Sequence, residues 1–187
     1  MPRPNWFFGF PLAGEFVREL PQLPPNFRLF HESDVHLTLA FLGGCGEEGA
    51  ERALGALDAT MLGPLRASIA VSLGEVVPMG PRGQYSALSA LLEQGRHETE
   101  ARITALRDAL TEAAAGRHEK RPAKAHVTVA RPTRRATAAQ REAGLSWAAS
   151  VDLRRVSARL DRVALYTWSE LRRERLFRIV AERRLDD

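Results

Sequence analysis

The sequence has little of several features that would assign a function class directly. It holds a single cysteine, Cys45, which excludes an internal disulfide. A lone cysteine between glycines is also no sign of a catalytic nucleophile. No run of residues approaches the roughly 18 apolar residues of a membrane helix, and the apolar stretch near the start is too short for a signal peptide. We therefore expect a cytoplasmic protein that does not associate with membranes.

Common nucleotide and metal signatures are missing as well. Neither Gly-x-Gly-x-x-Gly nor the Walker A pattern occurs, which removes the commonest dinucleotide and ATP sites. Zinc normally takes three or four His, Cys or carboxylate ligands at short spacing, whereas His31, His97 and His118 lie separately in polar surroundings. We predict no metal, no cofactor and no requirement for ATP.

The composition is that of an ordinary globular protein. The chain has 187 residues, of which 44% are hydrophobic and 27% charged, and no compositional break divides it, so we expect one domain over residues 1–187. The formal charge of +4 comes mostly from arginine, whose planar fork suits phosphate. An acidic partner such as nucleic acid fits this charge. Since no heptad or long exposed apolar stripe occurs, we expect a monomer.

Hydrophobic periodicity outlines the order of elements. Helical spacing occurs over Leu12–Leu20, Glu47–Met61, Glu98–Ala115 and a short stretch, Thr137–Gly144. Strand-like runs are Asn5–Phe10, Val35–Leu42, Ser68–Val77, Tyr85–Leu92, Ala125–Ala130, Ser150–Val156, Leu160–Trp168 and Glu174–Ala181. Elements alternate early and strands dominate late. This order favours an α+β fold with mostly antiparallel sheets over a doubly wound parallel sheet.

Two segments of the chain match each other. One is His36-Leu-Thr-Leu-Ala-Phe-Leu-Gly43 and the other is His126-Val-Thr-Val-Ala-Arg-Pro-Thr133. They lie about half the chain apart, which suggests an internal duplication. Because side chains alternate along a strand, the histidine and threonine of each segment share one face and the aliphatic residues pack on the other. Each segment thus presents an imidazole and a hydroxyl from a strand that is backed by core.

Such a pair suits displacement at phosphorus. The reaction needs a base on the attacking oxygen and an acid on the leaving oxygen, and imidazole, with a pKa near 6.5, can serve as either. Threonine hydroxyls can bind the non-bridging phosphate oxygens. The segments therefore predict metal-free acid-base chemistry on a phosphate ester. The alternative, two structural histidines, requires His36 and His126 to be buried apart.

These segments resemble the two-histidine (2H) phosphoesterases, and especially the RNA 2′,3′-cyclic phosphodiesterases, also called 2′-5′ RNA ligases. Further stretches that resemble this family are Trp6–Leu12, Leu165–Ser169 and Arg178–Leu185. The resemblance implies two pseudo-symmetric α+β lobes around a central cleft, each lobe carrying one His-x-Thr-x strand. It also implies opening of a terminal 2′,3′-cyclic phosphate to a 2′-phosphate, and 2′-5′ ligation as a second reaction.

The resemblance assigns roles to individual residues. His36 would be the proton donor to the leaving ribose oxygen and His126 the proton acceptor from water, with the two roles exchanged when the reaction runs in reverse. Thr38 and Thr128 would hold the phosphate. Arg131 matches the family's residue after the second motif and would contact the substrate, although plain alternation points it away from His126 unless the strand ends or bulges there.

The sequence leaves the substrate open. The approach to the first motif, Arg28–Asp34, lacks the tryptophan expected there and is acidic, which bears on which substrate end is tolerated. The basic segment Arg117–Arg141 flanks the second motif and would steer RNA towards it. RNA with 2′,3′-cyclic phosphate ends is the predicted partner. A small cyclic nucleotide, a tRNA-splicing intermediate, or mere binding of an RNA end without catalysis are the alternatives.

Overall fold

The computed structural model describes residues 3–186. Its strands are β1 (Trp6–Pro11), β2 (Phe27–Leu29), β3 (His36–Gly43), β4 (Ile69–Met79), β5 (Ala87–Gln94), β6 (His126–Pro132), β7 (Ser157–Leu160), β8 (Arg162–Trp168) and β9 (Phe177–Arg184). Its α-helices are α1 (Gly46–Thr60), α2 (Arg96–Ala113) and α3 (Ala138–Ser150). Short 3-10 turns occupy Glu15–Glu19, Glu32–Asp34 and Gly63–Arg66.

All the strands belong to one antiparallel sheet that curls into a half-barrel. Their order is β7-β4-β5-β6-β3-β1-β8-β9, and β2 pairs with β6 off this path. One lobe consists of β3, β1, β8 and β9, and the other of β6, β5, β4 and β7. The predicted α+β class, the antiparallel sheet and the two lobes, each with one His-x-Thr-x strand, are therefore confirmed.

The two lobes meet at a single point in the sheet. Among residues 3–186, β3 and β6 are in register at one pair, Leu37 and Val127. The C-terminal part of β6 pairs with β2 instead, over Ala130–Pro132. This pair lies near the N-terminal end of both strands. Because the strands are antiparallel, β3 and β6 extend from it in opposite directions and do not overlap beyond their first residues. The sheet is therefore open on either side of the place where the two histidine motifs begin.

The helices cover one face of this junction. Helix α2 packs against both α1 and β3, and one apolar cluster unites the inner residues of these elements. Its members include Leu37, Leu39, Ala53, Leu57, Leu106, Leu110, Val127 and Val129, each at most 1% exposed. Burying a single such side chain contributes about 1.5–3 kcal/mol. The helices thus occupy the aliphatic face of the motifs and leave the histidine face uncovered.

The structure corrects two predicted elements near α3. The stretch Ser150–Val156 is not a strand: α3 continues to Ser150, and the Asp152 carboxylate then accepts the Arg154 N–H at 3.0 Å and forms a turn. The predicted helix over Thr137–Gly144 is longer than its sequence pattern indicates. Its extra turn contains Trp147, which is buried and donates its indole N–H to the Pro21 carbonyl at 3.0 Å.

The helical spacing over Leu12–Leu20 gives only the short 3-10 turn Glu15–Glu19. Only Val17 within that turn is buried, so too little apolar surface is covered to support a longer helix. Elsewhere the helices are amphipathic and packed on the sheet. No helix in the described range is both long and apolar enough to cross a membrane.

Candidate active site

The two His-x-Thr motifs face each other across the β3–β6 pair. Continuing the observed register by one residue in each direction sets His36 opposite Thr128 and Thr38 opposite His126. Directly opposed residues of an antiparallel pair lie on the same face of the sheet. The four side chains therefore form one cluster on the uncovered face, and each imidazole has the hydroxyl of the other motif across from it.

A matching β-bulge follows each motif. Leu39 is the extra residue of β3 relative to β1, and Val129 is the extra residue of β6 relative to β5. A bulge shifts the alternation of side chains by one residue. Phe41 and Arg131 consequently lie on the same face as the histidines, and both line the cleft there. The bulge at Val129 is the exception to plain alternation under which Arg131 is expected to face the site.

The two histidines are oriented in the same way by the backbone. His36 Nδ1 lies 2.6 Å from the Asp34 carbonyl oxygen, and His126 Nδ1 lies 2.7 Å from the Lys124 carbonyl oxygen. Because a carbonyl can only accept a hydrogen bond, Nδ1 must be the protonated nitrogen in both rings. The neutral rings therefore carry their lone pair on Nε2, the atom that is left to exchange protons.

His36 lies in an aromatic cage. Its ring centroid is 4.7 Å from that of Phe7, 5.2 Å from that of Tyr166 and 5.6 Å from that of Phe177, which packs edge-on. Phe7 and Tyr166 stack on each other with a 3° angle between their planes. The cage fixes the imidazole and excludes water from most of its surface.

Burial lowers the pKa of both histidines. It lowers the pKa of His36 to about 4, against the opposing effect of the hydrogen bond to Asp34, and the charges of Arg131 and His126 lower it further. Burial is also the main cause of the lowered pKa of His126, to which the charge of Lys124 adds. Both rings are thus neutral in the free protein near pH 7. The charge of His126 is among the causes that lower the pKa of His36, in keeping with their placement on one face of the sheet.

The lobes differ in what lies beside each threonine. In the second lobe, Ser89 is opposite Thr128 and their hydroxyl oxygens are 3.2 Å apart. In the first lobe, Gly9 is opposite Thr38. A Cβ at Gly9 would lie 3.3 Å from His36 Cδ2 and 2.9 Å from the backbone oxygen of Leu37. Glycine at this position therefore leaves space for the imidazole, which a side chain would displace.

A cleft of about 900 Å³ opens beside the motif of the first lobe. His36, Thr38 and Arg131 line it, whereas His126 and Thr128 lie on the neighbouring strand and outside its lining. Much of the rest of the wall is aromatic or basic, although Asp34 and Glu174 also line it. It includes Phe7, Arg28, Phe30, His31, Phe41, Arg134, Trp168, Arg172, Arg173, Arg175 and Phe177. The structure thus brings together all five predicted site residues, with the open volume on the His36 side.

Sequence reasoning missed two groups of residues. The cage residues Phe7 and Tyr166 were assigned to strands without a role, because no local pattern relates them to His36. The arginines of the loop between β8 and β9 were also missed. Their signal was the run Arg172-Arg173-Glu174-Arg175, which is more basic than a short turn needs.

The basic segment Arg117–Arg141 lies partly at the site. Arg121 and Lys124 are near enough for their charges to lower the pKa of His126. Arg134 lines the cleft. Arg121 also binds Glu119, whose pKa falls to about 2 mainly through that hydrogen bond. Within residues 3–186 no group of three or more His, Cys, Asp or Glu side chains is arranged to hold a metal ion.

Neither a family profile nor a curated protein matches this sequence. Solved structures do match the fold. E. coli LigT complexed with 3′-AMP is 17% identical over 100% of both chains, with a TM-score of 0.71. A phosphoesterase is 21% identical over 100% of both chains, with a TM-score of 0.70. Usb1 of Kluyveromyces marxianus is 13% identical over 87% of this chain and 92% of its own, with a TM-score of 0.51. The chain therefore shares the two-lobed fold of LigT.

Proposed function

We propose that this chain is a 2H-type phosphoesterase that hydrolyses the terminal 2′,3′-cyclic phosphate of RNA to a 2′-phosphate. The observation that carries the proposal is the cluster of His36, Thr38, His126 and Thr128 on one uncovered face, with both histidines held through Nδ1. The fold supports it, since E. coli LigT has been crystallised with 3′-AMP and with phosphate, and another structure of this fold is a phosphoesterase.

The proposed reaction is a displacement at phosphorus. His126 Nε2 takes a proton from a water molecule as the water oxygen bonds to phosphorus. The bond from phosphorus to the ribose 3′ oxygen breaks, and His36 Nε2 gives that oxygen its proton. The assignment of His36 as donor follows the family resemblance. If an RNA 5′-hydroxyl takes the place of water, the same steps give a 2′-5′ linkage.

The donor role of His36 requires the substrate's charge. Because its pKa is about 4 in the free protein, the ring is neutral near pH 7 and has no proton to give. A phosphate anion beside the ring favours the protonated form. When protonated, a group with a low intrinsic pKa is a strong acid, which suits proton transfer to an alkoxide leaving group. Binding of the phosphate would thus charge the donor at the site where it is needed.

The threonines and Arg131 would hold the phosphate. Thr38 and Thr128 carry hydroxyl donors on the histidine face, and Ser89 orients one of them. Arg131 lies over the ring of Phe30, with its guanidinium carbon 5.0 Å from the ring centroid, and lines the cleft. Fixed donors directed at the non-bridging oxygens stabilise the charge that develops in the transition state.

An oligoribonucleotide with a 2′,3′-cyclic phosphate end tests the proposal. Purified protein in EDTA should convert it to the 2′-phosphate, identified by co-chromatography with authentic 2′-phosphate and 3′-phosphate standards. His36→Gln and His126→Gln should each abolish most turnover, and the exposed His97→Gln serves as the matched control. Loss of all turnover with EDTA would contradict a metal-free reaction. If both site variants bind RNA as the parent does and the parent shows no turnover, the protein only binds RNA ends.

A further inference from the structure

We infer that the loop between β8 and β9, residues 169–176, binds the backbone phosphates of the nucleotides that precede the terminal one, so that the protein selects oligonucleotides over a cyclic mononucleotide. The inference rests on the proposed function for the position of the terminal phosphate. The loop lies outside the two motifs, and its contacts would recognise a polyanionic strand.

The charge of the cleft wall points to a polyanion. Arg172, Arg173 and Arg175 of the loop line the cleft, together with Arg28 and Arg134 from the other side. Within the described part of the chain none of these five forms an ion pair with a carboxylate. The loop also carries two acidic residues, Glu170 and Glu174, of which Glu174 lines the cleft; among the described residues neither forms an ion pair with these arginines. Guanidinium groups without carboxylate partners on a concave wall are suited to phosphate oxygens.

The loop is fixed relative to the catalytic face. The buried Asp34 carboxylate accepts the Leu176 N–H at 2.7 Å and the Phe177 N–H at 3.0 Å. The same residue's carbonyl accepts the His36 Nδ1 proton. Asp34 therefore joins the base of the loop to the histidine that would face the leaving oxygen. This acidic residue in the approach to the first motif serves the loop's backbone and does not project a free charge into the cleft.

Contacts within the loop keep its arginines at the wall. The Ser169 N–H donates to the Leu176 carbonyl at 2.9 Å and closes the loop at its base. The Arg172 guanidinium carbon lies 4.2 Å from the centroid of the Trp168 ring, a cation–π contact that holds it over the cleft. The loop thus offers placed cations, which lose less side-chain entropy on binding than freely moving ones.

The position of the cleft gives the strand's direction. His36 would protonate the leaving ribose oxygen, so the ribose and the rest of its strand lie on the His36 side of the phosphate. The open volume and the loop are on that side. A cleft of about 900 Å³ is larger than one phosphate group needs. The preceding backbone phosphates of the same strand would therefore pass along the arginines, whereas a mononucleotide has no phosphate to reach them.

Binding without turnover tests the loop. Fluorescence anisotropy of a labelled pentaribonucleotide ending in an unreactive 3′-phosphate is measured over a salt series, with nucleoside 3′-monophosphate as competitor. The Arg172→Gln/Arg173→Gln double variant should weaken oligonucleotide binding about tenfold and lessen the salt slope by about 1.4, since each phosphate contact on single strands contributes about 0.7. Competition by the monophosphate should be unchanged.

The matched control is Arg154→Gln/Arg155→Gln. These adjacent arginines precede β7, at the far end of the sheet order from β9, and their loss changes the net charge equally. If both double variants weaken oligonucleotide binding alike, or if the loop variant weakens the monophosphate as much as the oligonucleotide, the inference is wrong. Absence of turnover with the cyclic-phosphate substrate would instead overturn the proposed function. The binding experiment involves no turnover, so its result would still decide whether the loop binds backbone phosphates.

Discussion

Leu37 pairs with Val127 at the junction of β3 and β6, and this pair fixes the geometry of the candidate site. Both side chains are fully buried. A slip of either strand by one residue would turn its histidine into the core and expose its aliphatic residues. The apolar residues of the two motifs therefore set the position of the polar ones. The catalytic proposal depends on this pairing more than on any single polar contact.

The first prediction concerns the two histidines. His36→Gln and His126→Gln should each lower kcat by about 10²- to 10⁴-fold, the usual contribution of a general acid or base. Because the two act on one displacement, the double variant should fall short of the product of the single losses. Steady-state rates with a cyclic-phosphate substrate provide the measurement. Near-parent rates in either single variant would remove that histidine from the mechanism.

A second prediction concerns protonation on binding. The pKa of His36 is about 4 in the free protein, and a phosphate anion at the site should raise it, because the charge favours the imidazolium form. NMR titration of the ring with and without a saturating nucleoside 2′-monophosphate measures the shift. The Thr38→Val variant should need a higher concentration of the monophosphate to reach the same shift, because it binds the phosphate more weakly. An unchanged pKa would mean that the phosphate binds elsewhere.

A third prediction concerns stability against pH. The pKa of His36 is about 4 in the folded protein and near 6.5 when unfolded, so between these values the unfolded state binds more protons. The free energy of unfolding contributed by this burial is fully present above pH 6.5 and is lost as the pH falls towards 4. Urea unfolding across this window should show the decline, and it should be shallower in His36→Gln. The exposed His97→Gln should keep the parent's slope.

The fourth prediction concerns Gly9. An alanine Cβ there would lie 2.9 Å from the Leu37 carbonyl oxygen and 3.3 Å from the His36 ring, so Gly9→Ala should displace the imidazole and lower both Tm and turnover. Gly55→Ala is the control: nothing lies within 4 Å of a Cβ in that helix, and it should gain up to about 1 kcal/mol of stability. Equal Tm values for Gly9→Ala and the parent would contradict this prediction and show that the strands can move apart at this position.

Sequence predicted the fold class and the four motif residues because their signals are local. Alternation within each motif and the repetition of the motif need no knowledge of partners. Alternation alone could not place Arg131 on the histidine face, because the bulge at Val129 arises in the pairing of β6 with β5; the family resemblance was what indicated this residue. The full length of α3 was not predicted either, because its last turn depends on the hydrogen bond from Trp147 to the distant Pro21 carbonyl.

The loop arginines show the same limit over a longer range. Arg172 and Arg173 are separated from His36 by most of the chain, and the connection runs through the Asp34 carboxylate to the backbone of Leu176. Nothing in the spacing of the sequence marks a carboxylate as the partner of a backbone amide that distant. Residues recruited by tertiary contacts are therefore the part of the site that pattern reasoning leaves out.

The matching bulges at Leu39 and Val129 have a consequence for the orientation in which a substrate binds. They make the floor of the site nearly symmetric, since each half offers the same imidazole, hydroxyl and bulge. A symmetric floor cannot distinguish a phosphate from its reversed orientation. The residues just beyond the bulges, Phe41 on one side and Arg131 on the other, are among those that break this equivalence, together with Gly9 and Ser89 opposite the two threonines. Exchanging Phe41 and Arg131 would therefore reverse one local difference between the halves while leaving the proton-transfer groups in place.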